Sequence, residues 1–386
     1  MKGRLTTLLA AALLSASCIY DFNAELDQEV SDVIVVEGDI IVGGTTNIAC
    51  SYLSPAGSLQ SSPVNFKAIV ESSDGRTFAS SEETEKSSTS IDTRDASGQA
   101  SYRLLLTDKN TGLEYQTPWL EVHKAPVIDS LSSKRNVEKD RLEIGISAHS
   151  DSESYFKWRF EETWEYHAYY YAYLKYLTPS EDYPYGRVVD YEDDDINFYY
   201  CWDHARSTDV RLFDTASQTE DTFVDLEFHT IARNDERLSI LYLCKVYIEA
   251  LSEQAYRFWT AIDSWSDSTG DLFSPIPSEI SGNISCTSDS SAKAIGYISA
   301  STESSIEKYF DESKFYREKN ERPGEEPSFY IEQSWPSLYR KNYLPVFRDD
   351  PDNPDGNPLW TEARCVDCTL KGGTKEKPQG WPNLHR

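Results

Sequence analysis

The chain has 386 residues, with 37 Lys and Arg against 65 Asp and Glu, for a formal net charge of −28. A surface of that charge repels nucleic acid and anionic lipid headgroups, so neither is expected as a partner. Hydrophobic content of 39% and aromatic content of 13% exclude a disordered chain, and the length leaves room for about two ordinary domains.

Lys2 and Arg4 precede an uncharged, Leu- and Ala-rich run from Leu5 to Leu14, which reads as a secretory leader. The run is too short to span a bilayer, for which about 20 apolar residues are needed. Ser15, Ala16 and Ser17 then lead to Cys18, a pattern that resembles the lipobox of bacterial lipoproteins. Residues 1–17 are thus expected to be the leader, and Cys18 the acylated attachment point. The alternative is an ordinary secretory signal cut after Ala16 or Ser17, leaving Cys18 bare. No later segment is long and apolar enough to cross a membrane, so lipid on Cys18 is the one anchor expected. Loss of Lys2 and Arg4 with the leader takes the net charge to −30.

Six further cysteines follow: Cys50, Cys201, Cys244, Cys286, Cys365 and Cys368. An even number in an exported chain predicts disulfides without fixing their pairing. Cys365-Val-Asp-Cys368 lacks the second Cys pair or paired histidines of a zinc site, and lacks the βαβ surroundings of a redox motif. It reads as structural, with its cysteines bonded to each other, to Cys201 or to Cys286. Cys244 shares a strand face with Tyr242, Val246 and Ile248 and reads as a buried thiol.

In chain order, residues 18–31 form a polar, acidic tether. Val33 to Val42 opens a β-rich region, followed by runs at Asn65–Val70, Ala100–Thr107 and Glu114–Val122. The turns Asp74-Gly75, Ser97-Gly98 and Asn110-Thr-Gly112 separate them. This spacing predicts a small sandwich of immunoglobulin or transthyretin type over residues 32–124. The Ser/Thr run from Ser80 to Ser90 reads as an exposed loop. A larger, aromatic-rich β domain is expected over residues 125–386. In Tyr155–His167, Phe156, Trp158, Phe160, Trp164 and Tyr166 share one face, with Glu162 interrupting it as a bulge would. Arg141–Ala148, Arg237–Ala250 and Ala294–Ala300 read as further strands. Ser252 reads as the N-cap of one amphipathic helix carrying Ala255, Phe258, Trp259 and Ile262 and ending near Gly270. After Glu307 the chain is polar and Pro-rich, and is expected to wrap the domain irregularly. The whole is mainly β.

A family resemblance rests on motifs in a fixed order. They are Val35-Val-Glu-Gly38, Pro126-Val-Ile-Asp-Ser130, Cys201-Trp202, Leu251-Ser-Glu-Gln-Ala-Tyr256 before Phe258-Trp259, and Phe273-Ser-Pro-Ile-Pro277. Gly282-Asn-Ile284, Gly296-Tyr297 and Cys365-Val-Asp-Cys-Thr-Leu-Lys-Gly-Gly373 follow, with Lys377-Pro378 and Trp381. Together they resemble the bacterial lipoprotein family known as domain of unknown function 4249. Gly380 stands where that family usually has an aromatic residue. The resemblance implies an outer-membrane lipoprotein commonly encoded beside a TonB-dependent transporter, its expected partner, and it brings no catalytic residues.

Catalytic motifs are absent: there is no H-E-x-x-H, G-x-S-x-G, G-x-G-x-x-G or P-loop pattern. The histidines have no ligand spacing. Carboxylates are numerous enough to hide a glycosidase pair, which is defined in space and not by spacing. Two segments stand out. Residues 166–202 form a Tyr-rich insertion that holds Tyr169, Tyr170, Tyr171, Tyr173, Tyr176, Tyr183 and Tyr185, with an acidic run from Glu192 to Asp195. Tyrosine offers large contact area at small entropic loss, so the insertion reads either as a docking surface or as a hairpin whose rings cover the sheet. The second segment, Asp349 to Asn357, clusters Asp350, Asp352 and Asp355 as a weak Ca²⁺ candidate, but Pro354 breaks EF-hand spacing. Otherwise it is a turn-rich loop. No cofactor beyond the lipid is expected. The expected function is a non-enzymatic outer-membrane subunit of a TonB-dependent transporter, acting as a lid or in ligand capture. The alternatives are a freestanding glycan-binding lipoprotein, which would expose a row of Trp rings, and a carboxylate-based hydrolase.

Overall fold

A computed structural model of the protein describes residues 33–53, 64–79, 87–192, 197–207, 211–216, 222–268, 282–317, 326–328 and 334–384. The leader, Cys18, the tether and Phe273–Pro277 lie outside the described residues, as does most of the acidic run after Glu192.

The N-terminal stretch supplies β1 (Ile34–Ile41), β2 (Thr45–Tyr52), β3 (Phe66–Ser72), β4 (Thr77–Ala79), β5 (Ser88–Asp92), β6 (Tyr102–Asp108), β7 (Glu114–Gln116) and β8 (Val122–His123). Next come β9 (Val127–Asn136), β10 (Arg141–His149), β11 (Tyr155–His167), β12 (Leu174–Leu177), β13 (Arg187–Asp190), β14 (Tyr200–Arg206), β15 (Arg211–Asp214), β16 (Thr222–Ala232) and β17 (Leu241–Ala250). The remainder is α1 (Glu253–Ser268), β18 (Ser285–Cys286), β19 (Ala294–Ile295), β20 (Ala300–Ser301), β21 (Glu303–Phe310), α2 (Trp335–Arg340), β22 (Tyr343–Arg348) and β23 (Pro358–Glu362).

The first unit is a sandwich. One sheet runs β18-β7-β6-β3-β4, the other β5-β2-β1-β20-β8, with β19 also on β1. Side chains alternate in β3 and β6, so Phe66, Ala68 and Val70 point inward beside Tyr102, Leu104 and Leu106. They meet Ile34, Val36, Ile40 and Ile48 from the other sheet in one core. Each such buried aliphatic side chain stabilises the fold by about 1.5–3 kcal/mol. Two expectations change here. Ser88–Ser90 belong to β5, since Thr46 to Ala49 offer their strand an edge to pair with, so the Ser/Thr run is not all loop. More consequentially, residues 282–301 do not extend the second unit. β19 and β20 pair in parallel with β1, and β18 pairs with β7, so the run expected as one strand from Ala294 to Ala300 is two short strands completing the first sandwich.

The second unit packs the sheet β16-β10-β9 against β14-β11-β17-β21, with β15 also on β11. Phe156, Trp158 and Phe160 of β11 meet Ile144 and Ile146 of β10 and Phe223 and Phe228 of β16 in its core. Glu162 marks no bulge. The β11–β17 register runs unbroken from Phe156 to Glu165, and Glu162 stays on the inward face because its carboxylate has partners there. β17 also starts later than the spacing predicts. Asp235 caps a 3-10 turn over Glu236–Leu238 by accepting from Arg237 N, and this takes the first residues out of the strand. α1 begins as expected, with Ser252 Oγ accepting from Ala255 N at 3.1 Å. Its predicted end near Gly270 lies outside the described residues.

The C-terminal region is more regular than its composition predicts. β22 and β23 pair as a hairpin, and α2 is a second short helix where one was expected. Leu338 and Trp360 from this region pack with Leu174 and Val188 of the β12–β13 hairpin, while Val346 and Val366 cover Ala172. The Tyr-rich insertion and the C-terminus thus form one small lobe on the second sandwich. Among the described residues no helix is long and apolar enough to cross a membrane.

Candidate functional site

The arm of residues 166–202 leaves the end of β11 and returns as β14. At its root Tyr166 is buried, donating to Cys368 O at 2.8 Å and accepting from Gly373 N at 3.2 Å. Beside it Cys201 and Cys368 form a disulfide with Cα atoms 5.8 Å apart. This is one of the pairings expected, a bond from the C-x-x-C pair to Cys201, while Cys365 and Cys286, also candidates, both remain thiols. Cys365 ends one 3-10 turn and Cys368 begins the next. Cys365 is buried, as are the Cys50 and Cys244 thiols, and burial pushes Cys244 up to about 12.

Beyond the root, backbone bonds hold the arm to the C-terminal lobe. Tyr170 N donates to Cys365 O at 2.9 Å, and Tyr173 N to Val346 O at 2.7 Å. Pinned in this way, the extended stretch turns Ala172 and Leu174 inward and Tyr171 and Tyr173 outward. The seven tyrosines therefore divide. Tyr169, Tyr170 and Tyr176 are half-buried, the last packed 5.6 Å from Trp360. Tyr171, Tyr173, Tyr183 and Tyr185 are exposed, Tyr173 at 61% and Tyr185 at 77%. Tyr171 and Tyr173 lie 4.9 Å apart, and Tyr171 continues onto Tyr199 at 5.2 Å, so an aromatic strip runs along the outer face. The segment thus carries half-buried rings against the lobe and exposed rings on its outer face.

The acidic loop connects β22 to β23. Its polar atoms serve the turn: Asp349 accepts from Asn357 N at 2.8 Å, Asp350 from Asp352 N at 3.1 Å, and Asn353 from Asp355 N at 3.0 Å. Among the described residues no three acidic, His or Cys side chains converge as metal ligands, so Asp350, Asp352 and Asp355 do not form a ligand set.

Two buried ionic clusters were not legible as sites. Glu162 accepts from Tyr242 at 2.7 Å and from Arg237 at 2.8 Å, with His229 Nε2 at 3.0 Å. Burial alone would raise its pKa, but these three partners hold it below the ordinary value. Lys157 pairs with Asp39 and lies 3.5 Å from Glu249. Asp39 also accepts from Ser299 N at 2.8 Å, so the cluster joins β1 to β11 and β17 and bridges the two sandwiches. Burial pushes Glu249 up to about 7, against the pull of the Lys157 ammonium. The interruption of an apolar face by Glu162 was the signal that an acid would be buried; Lys157, on the opposite face of the same strand, gave none. Glu162, Asp39 and Glu249 are all buried, so both clusters lie within or between the cores. Among the described residues Trp119 is the one large exposed Trp, so no row of Trp rings forms there.

Residues 19–307 match the family described as Domain of unknown function (DUF4249). The chain belongs to that family. The matched span ends inside β21, so the disulfide partner Cys368 and the C-terminal lobe of this DUF4249 protein lie beyond it. No curated protein matches the chain.

Within the matched span, two of the glycines that carried the resemblance have a physical reason. Gly282 and Gly296 form a parallel bridge, and a Cβ on Gly296 would lie 2.1 Å from Val36 O. Gly296 has φ +143°, a conformation that L side chains rarely adopt. The motif thus marks where the returning chain lies directly against β1.

Proposed function

We propose that the protein is a non-catalytic lipoprotein of the outer membrane, anchored through Cys18, that serves a TonB-dependent transporter as a lid or ligand-capture subunit and docks through its tyrosine arm. The observation that carries the docking half is the split among the tyrosines. Tyr171, Tyr173, Tyr183 and Tyr185 stand exposed on an arm that a disulfide, backbone bonds and an apolar cluster hold in place. Rigid, amphipathic rings lose little entropy on contact, and aromatic residues are enriched where protein interfaces bind most strongly. The transporter half rests on the family resemblance, and the anchor on the lipobox pattern ending at Cys18.

The test is affinity purification from native membranes with a tagged chain. A transporter barrel should co-purify with the wild type, and its yield should fall with Tyr183→Ala and Tyr185→Ala combined. Neither change should shift the melting temperature, since both rings are exposed. If no barrel accompanies the wild-type chain, the transporter role is wrong. Mass spectrometry of the mature N-terminus tests the anchor separately, and an unmodified Cys18 would remove it.

A further inference from the structure

The two segments that stand out in the sequence meet. Tyr173 and Asp190 of the arm line one cleft together with Phe347 and Arg348 at the end of β22 and Pro351 and Pro354 of the acidic loop. They enclose a cleft of about 630 Å³, within the range that holds small ligands. Its walls are mostly apolar and include the buried Leu174.

One end is polar. The Arg348 side chain is 14% exposed, yet it makes two hydrogen bonds, both at 3.3 Å, to Gly356 O and Asp190 Oδ1. A guanidinium has five N–H donors in a fixed fork. No Arg348 nitrogen is both buried and unpartnered, so its remaining N–H donors are open to solvent and available to a ligand. Asp190, 71% exposed, has acceptor capacity beyond its contact with Arg348.

Charge narrows what fits. A carboxylate ligand would satisfy Arg348 but would face Asp190, with Asp350, Asp352 and Asp355 on the adjoining loop. An ammonium would suit Asp190 but not Arg348. A hydroxyl accepts from one and donates to the other, and two neighbouring hydroxyls on a ring meet both in the span of the fork. The C–H face of such a ring suits Tyr173, Phe347 and the two prolines. We infer that this cleft binds a neutral sugar ring, with Arg348 and Asp190 taking neighbouring hydroxyls and Tyr173 stacking on the ring. The inference deepens the ligand-capture part of the proposed function by naming a ligand class, and it rests on that reading only for where the ligand goes next.

Saturation-transfer NMR on the purified chain, without any transporter, tests it. The probes are glucose, galactose, mannose and xylose, the disaccharides maltose, cellobiose and lactose, and the charged analogues glucuronate and glucosamine. At least one neutral sugar should receive saturation, and a monosaccharide response against a disaccharide-only response separates a free sugar from a glycan end. Arg348→Ala should weaken binding about tenfold or more, the loss expected for a hydrogen bond to a charged group. Tyr173→Ala should also weaken it, and Tyr185→Ala should not. Asp190→Asn serves as a second variant at an exposed position should Arg348→Ala unfold the lobe. Silence from every neutral sugar, binding unchanged in Arg348→Ala or in Asp190→Asn, or a preference for glucuronate would overturn the proposal. None of these results touches docking, which is read from co-purification with the Tyr183 and Tyr185 variants.

Discussion

Asn283 holds Ile298 as a strand would, with one side chain: its Nδ2 donates to Ile298 O at 2.8 Å, and Ile298 N donates to its Oδ1 at 2.9 Å. Both backbone groups of the buried Ile298 are thereby satisfied. Asn283→Ala should cost about 1–3 kcal/mol, because it strands a buried donor and acceptor together. Urea unfolding followed by tryptophan fluorescence measures this. An unchanged midpoint would mean that water replaces the amide without loss.

Glu162 carries the polar cluster inside the second sandwich. Glu162→Ala would leave Arg237 charged and largely enclosed, with Tyr242 and His229 also losing their acceptor. Removing one partner of a buried ion pair costs about 3–5 kcal/mol. The expected result is a collapse in soluble yield or a large fall in the urea midpoint. Glu162→Gln, which keeps an acceptor, should fall between Ala and wild type.

Glu249 sets a pH dependence. Its carboxyl titrates near 7 in the fold against an ordinary 4.5, with Lys157, Asp39, Glu303 and Arg159 as its charged neighbours. Below about 4.5 both states are protonated and the group contributes nothing. Between 4.5 and 7 the unfolded chain releases a proton that the folded one keeps, so stability falls as pH rises and then levels above 7. The span corresponds to a loss on the order of 3 kcal/mol. Urea midpoints at pH 5 and pH 7.5 should differ for the wild type and converge in Glu249→Gln. An equal slope in both would refute the assignment.

The Cys201–Cys368 bridge spans 167 residues, and a cross-link over so long a loop is expected to contribute about 2–5 kcal/mol. Cys201→Ser should lower stability by that order and loosen the C-terminal lobe, with faster amide exchange at Val346 and Tyr173. Peptide mapping under non-reducing conditions checks the pairing. A Cys365–Cys368 peptide would contradict it.

How much could be read from residues alone depended on how local the cause was. β11 was legible to the residue, since thirteen positions alternate and aromatic side chains mark the inner face. The N-cap at Ser252 was legible because its hydrogen bond lies within one turn. β5 was not, because Ser88 to Ser90 have no apolar face and become strand only through the edge of β2. The return of residues 282–301 to β1 was hidden for the same reason: β19 and β20 have two residues each, too few for any period. At the arm, abundance of tyrosine was visible but its division was not. Which rings face out follows from Tyr170 and Tyr173 being pinned by residues far along the chain, at Cys365 and Val346.

The pairing of β1 with β19 and β20 also sets an order of events. Delivered N-terminus first, the chain has a first sandwich with one flank of its central strand open until residue 301 has arrived. Exposed strand flanks recruit other chains, and closing them over such a separation is slow. The N-terminal unit cut off at residue 124 should therefore aggregate, because the intact protein depends on residues 294–301 to cover that flank.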